Sequence, residues 1–152
     1  MQNLQSKTMN EAPGMNAAMQ ETDEAFHFPQ GMAGFPDATR FGFIYEGQGD
    51  IVCIQSLDQP EAAFLLTPWC SERLGQQPEL TAEQTQCLSL ESSDEVLWML
   101  VLNPFADKAW VTANLKAPIA LNMSNKRGLQ CIRIKPDLDI RFPWMPQPTT
   151  SD

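Results

Sequence analysis

The chain has 152 residues, of which 43% are hydrophobic and 19% charged, enough apolar material for one domain with a real core. Its formal net charge is −9. That sign argues against direct nucleic-acid binding, which rests on Lys and Arg neutralising phosphates, and suits a protein partner with a basic surface.

Residues 1–24 are rich in Gln, Asn, Met, Ser and Glu and keep no apolar period of 2 or 3.6. They predict a disordered leader. Order is expected from Ala25, in a single domain over 25–144. Phe26-His27-Phe28 reads as a short strand stopped by Pro29, followed by two turns with Gly31 and Gly34 as the permissive positions. Arg40 to Glu46 and Ile51 to Leu57 read as strands joined by the loop Gly47-Gln48-Gly49-Asp50. Ile51 to Ile54 are apolar on both faces, which predicts a central strand. Pro60 restricts Gln59, so Asp58 falls on a loop before the next strand, Ala62 to Leu66.

Thr67 to Pro78 reads as irregular. Thr81-Ala82-Glu83-Gln84 is a capping box, which predicts a helix from about Ala82 to Leu88. Glu95 to Leu102 is almost wholly apolar and is expected to be the most buried strand. Val111, Ala113 and Leu115 alternate with Thr112, Asn114 and Lys116, the period of a half-buried strand. Pro118 cannot donate to a ladder and belongs at an edge, a bulge or a strand start. Ile119, Leu121 and Met123 form a further strand, and Ser124 to Gly128 a turn in which Gly128 supplies positive φ. Ile132 and Ile134 then alternate with Cys131, Arg133 and Lys135, which predicts a hairpin running to Lys135. Residues 145–152 are expected to be a flexible tail.

Charge is unevenly spread. Residues 58–95 hold eight acids against Arg73 alone, and residues 108–141 hold seven bases against Asp137 and Asp139. Such runs serve either as solvated faces or as two docking surfaces of opposite sign. Nothing assembles a catalytic group. There is no G-x-S-x-G elbow and no phosphate-binding loop opening a helix, and His27 is the single histidine. Cys53, Cys70, Cys87 and Cys131 show no C-x-x-C pair, so buried inert thiols are expected rather than a metal site. No apolar run approaches the roughly 18–20 residues of a membrane span, and no signal-peptide h-region opens the chain, so a cytoplasmic location is expected.

Three blocks stand out in order: Phe28-Pro29-Gln30-Gly31-Met32-Ala33-Gly34-Phe35, then Gln55-Ser56-Leu57-Asp58-Gln59-Pro60 with Ala63-Phe64-Leu65, then Asn114-Leu115-Lys116-Ala117-Pro118-Ile119 with Asn122, Arg127-Gly128 and Gln130. Together they resemble the FliW family of flagellar assembly factors. Met32-Ala33 stands where the family more often has Ile-Pro, and Phe142 where it has His. The resemblance implies a mostly β fold, a small antiparallel barrel-like single domain with one or two short helices. It implies a binding protein rather than an enzyme, without cofactor or metal and monomeric by itself. Its partners would be flagellin and the carbon storage regulator CsrA, bound in alternation. Two other readings are a general chaperone for exported flagellar subunits and a flavin-binding barrel enzyme. The residues expected to touch partners are Gln55, Leu57, Asp58, Glu61 and Phe64 around one loop, and Asn114, Lys116 and Pro118 at the corner. Asp58 and Glu61, with Asp94 and Glu95, would form an acidic patch facing CsrA. Asn114 has a competing role, bonding backbone that Pro118 leaves irregular.

Overall fold

The computed structural model describes residues 25–48, 50–135 and 137–148, so the expected leader lies outside the described residues. Among the described residues, nine strands and two short helices follow one another. They are β1 (Phe26–His27), β2 (Arg40–Gln48), β3 (Ile51–Ser56), β4 (Ala63–Pro68), α1 (Ser71–Leu74), α2 (Ala82–Cys87), β5 (Val96–Asn103), β6 (Trp110–Ala113), β7 (Ile119–Asn122), β8 (Arg127–Gln130) and β9 (Phe142–Pro146). Strand order is β4-β3-β2-β1-β8-β7-β5-β6-β9, and β4 also pairs with β5. The first seven of that order therefore close into a ring, while β6 and β9 extend from the end of β5. Every pairing is antiparallel except β1 with β8, which is parallel through His27 and Arg127.

The ring encloses one core. Phe26, Phe28, Met32, Phe41, Ile54, Leu66, Met99, Ile119 and Leu121 are buried together. Alternation sends the other faces of β5 and β7 outward, and these are apolar too. Trp98 and Ala120 join Leu88, Leu129 and Cys131 in a second cluster, and Leu100 and Leu102 join Val111, Ala113 and Leu115 in a third. The segment carrying α1 and α2 covers both, with Trp69 shared between them. Being covered on both sides is what allows these strands to be apolar throughout. The capping box at Thr81 forms as the sequence predicts: Gln84 N donates to Thr81 Oγ1 at 3.1 Å and Thr81 N to Gln84 Oε1 at 2.9 Å.

Several expectations change. The most buried strand is β7, all four of whose residues are buried, rather than the segment ending at Leu102, where Leu97 is 39% exposed. Thr112, expected on a polar face, is buried, because β6 sits between β5 and β9. Positive φ in the turn after β7 falls on Lys126, not on Gly128. Gly128 is required for a different reason: a Cβ there would lie 2.6 Å from Cε1 of the buried Phe28 ring. Gly31 and Gly34 do take positive φ. The hairpin does not run to Lys135. Cys131 N donates to Pro118 O at 2.7 Å, but Pro118 has no N–H to return the second bond, and the ladder ends at Gln130. At the start of the expected tail, Met145 and Pro146 pair with Val111 and Trp110, and the Gln147 amide donates to Pro104 O, Asp107 O and Trp110 O, while residues 149–152 lie outside the described residues.

Candidate functional site

The loop between β3 and β4 is tightly tied. The buried Ser56 hydroxyl accepts from Asp58 N at 3.0 Å and Gln59 N at 2.8 Å, and Gln55 Nε2 donates to Pro60 O at 2.9 Å. Asp58 Oδ1 lies 2.6 Å from Arg40 Nη2. The hydrogen bond from Arg40 holds the Asp58 carboxyl below its ordinary range and raises Arg40 in turn. Leu57 is half-buried, with its N–H on Arg40 O. Phe64 is half-buried with its ring against Phe35 and Phe41, so it belongs largely to the core. Glu61 is exposed and, among the described residues, makes no ion pair.

The four acids do not form one patch. Asp58 and Glu61 precede β4 and lie beyond the Asn103 end of β5, since Leu65 pairs with Leu102. Asp94 and Glu95 precede Val96 at the other end. An eight-residue strand separates them, roughly 25 Å at about 3.3 Å per residue. Asp94 is also engaged: its Oδ2 accepts from Glu91 N at 2.9 Å and from Asn122 Nδ2 at 3.3 Å, which lowers its pKa.

The corner residues hold structure. Asn114 Oδ1 accepts from Lys116 N at 2.9 Å, and Asn114 N donates to Val101 O. Pro118, expected at a docking surface, is fully buried under the returning chain and offers none. Lys116 is half-buried. Strands β4 and β5 separate this corner from the β3–β4 loop. The neighbouring motif residues act alike. Asn122, fully buried, donates to Leu88 O, and Gln130 accepts from Ala33 N at 2.8 Å while donating to Ala117 O.

Two surfaces emerge that the motifs do not mark. The first is acidic. Glu72, Glu79, Glu83, Glu91 and Glu95 are exposed on the covering layer, whose Arg73 is spent on β9, donating to Trp144 O at 2.9 Å with its guanidinium 4.1 Å from the Trp144 ring. A groove of about 480 Å³ at the end of this layer is lined by Ser93, Glu95, Val96, Leu97, Met123 and Ser124. The second is the segment after β8, where Ile132, Ile134 and Ile140 are 67%, 94% and 54% exposed beside Arg133, Lys135 and Arg141. The uneven charge was the signal for the first. The second hid inside a strand-like alternation.

Among the described residues no group of His, Cys, Asp and Glu is arranged to hold a metal, and no helix is long and apolar enough to cross a membrane. Cys131 is buried, which pushes its thiol up to about 12 and leaves it protonated at neutral pH.

The model of the FliW protein family matches residues 12–144. The chain is 32% identical over 112 residues to a flagellar assembly factor FliW of Symbiobacterium thermophilum, covering 72% of this chain and 81% of that one. It is 30% identical over 129 residues to that of Azoarcus sp. strain BH72, covering 79% and 87%. A crystal structure of the flagellar assembly factor FliW shares the fold, with a TM-score of 0.71 at 23% identity over 82% of this chain and 86% of that one.

Proposed function

Since the chain belongs to the FliW family of flagellar assembly factors, we propose that it works in the cytoplasm as a binding protein that holds flagellin and CsrA in alternation. Release of flagellin to export frees the protein to take CsrA, which relieves the block that CsrA places on flagellin translation. The observation that carries the reading is the family match over 12–144. The surface supports it physically. An RNA-binding regulator presents cations to phosphates, and the exposed glutamates of the covering layer offer the opposite sign. Surface charges mainly speed encounter, so the anchor has to be apolar, and Leu97 and Met123 in the groove beside Glu95 supply one. The acid pair Asp58 and Glu61 contributes less, because Arg40 already offsets Asp58.

The test uses the full chain with purified CsrA and purified flagellin. Each is expected to bind, and added flagellin to displace CsrA. The rate of association with CsrA should fall steeply between about 50 and 500 mM salt. Glu91→Lys with Glu95→Lys should slow it and flatten that dependence. Failure to bind both proteins overturns the reading, and a salt-independent rate removes the electrostatic part.

A further inference from the structure

We propose that the extended segment 131–135 is a strand acceptor, an open edge to which an extended, alternately aliphatic and acidic segment of a partner protein adds by main-chain hydrogen bonds. Cys131 N and Arg133 N each donate inward at 2.7 Å, to Pro118 O and Lys116 O. In an extended chain every second residue turns its N–H and C=O the same way. The backbone groups of Ile132 and Ile134 therefore point away from 116–118, and among the described residues neither has a hydrogen bond. The inner residues are anchored, Cys131 in the cluster with Trp98 and Leu88, and Arg133 with its guanidinium 6.0 Å from the Trp69 ring. The outer ones are bare, Ile132 at 67% and Ile134 at 94% exposure. An unpaired edge carrying isoleucines is a template for strand addition, and natural edges of this kind are blunted unless they are used.

Charge selects the occupant. Arg133 and Lys135 lie on the edge, with Lys116 on the segment it bonds to. A second copy of this chain would set those cations against their own equivalents, which opposes antiparallel self-pairing. An incoming strand with acids opposite Arg133 and Lys135, and aliphatic side chains beside Ile132 and Ile134, meets both requirements. The assignment rests on the reading above. There CsrA, being basic, falls to the acidic layer and the edge falls to flagellin; the two adjoin where Cys131 packs with Leu88 and Arg133 meets Trp69, so one partner excludes the other.

The experiment uses the full chain and purified flagellin as the probe. Backbone exchange at the amides of Ile132 and Ile134 should slow at least tenfold on adding flagellin. Ile134→Pro removes an outward N–H and leaves the bonds to Pro118 and Lys116 in place. Ile132→Asp with Ile134→Asp puts like charge before an acidic strand and guards against a misfolded proline variant. Each variant should weaken flagellin binding at least tenfold, while thermal unfolding and CsrA binding stay unchanged. If wild type binds flagellin, but both variants bind it equally well and the two amides exchange as before, the edge is not the acceptor. Protection that rises with concentration of this protein alone would mean self-pairing and overturn the partner. Wild type that binds no flagellin would overturn the underlying reading and this assignment together.

Discussion

Ile119 and Leu121 in β7 have no exposed surface, whereas Ile132 and Ile134 beyond β8 are 67% and 94% exposed. Both segments alternate branched aliphatic residues with others, and both lie in the same hairpin region. They differ in cover. β7 is flanked by β5 and β8, has the ring's core on one side and the α2 layer on the other. Among the described residues the later segment has a partner along one edge only, and its isoleucines are exposed. Apolar alternation thus records a strand-like chain, and the neighbours decide whether that strand is core or surface.

The contrast is broken most strongly from the buried side. Leu121→Ala is expected to cost about 3 kcal/mol, from lost burial plus the cavity left behind, read as a lower denaturation midpoint at unchanged slope. Gly128→Ala should come next, at about 2 kcal/mol, because the new methyl overlaps the Phe28 ring in a closed core. Trimming that ring as well, in a double variant with Phe28→Leu, should cost less than the sum of the two single losses. Asn122→Ala should cost about 1–2 kcal/mol, since its amide joins β7 to Leu88 O and Asp94 inside the cover.

The same junction sets an acid response. Asp94 has its pKa lowered, first by the Glu91 N–H and also by Asn122. A depressed carboxylate contributes stability above its unfolded pKa and loses it as pH falls through the folded value. Asp94→Asn should therefore flatten the decline in denaturation midpoint between pH 7 and pH about 3. Smallest of all, Ile134→Ser should change stability by no more than about 0.5 kcal/mol, the ordinary range of a surface substitution. A loss comparable to Leu121→Ala would show that the edge is covered after all.

Much of the fold was legible because local rules and tertiary structure agreed. The capping box, the positive-φ glycines at 31 and 34 and the apolar run of β5 each formed as read. The family motif was legible too, but it pointed to scaffold. Asn114, Pro118, Asn122, Gly128 and Gln130 close turns, fill the core or bond backbone. Residue types that only one geometry accepts stand out in a sequence, whereas exposed isoleucines and glutamates do not. Their meaning comes from what lies beside them. The acidic patch failed for that reason: Asp58 and Glu95 belong to one acidic run of sequence, yet the strands carry them to opposite ends. Likewise, the end of the hairpin depended on one missing N–H at Pro118, which only the register reveals.

The parallel pairing of β1 with β8 has a consequence for how the molecule is made. His27 and Arg127 stand one hundred positions apart, and their pairing closes the ring. A nascent chain emerging from the ribosome can form the β2–β3 and β3–β4 hairpins early, because those contacts are local. It cannot shut the ring until β8 has followed. Through that interval Phe26 and Phe28 lack the neighbours that bury them, and Phe28 has no Gly128 to rest on. The last step of folding is then a single long-range closure, slow by its topology and open to capture of the unfinished edge by other chains.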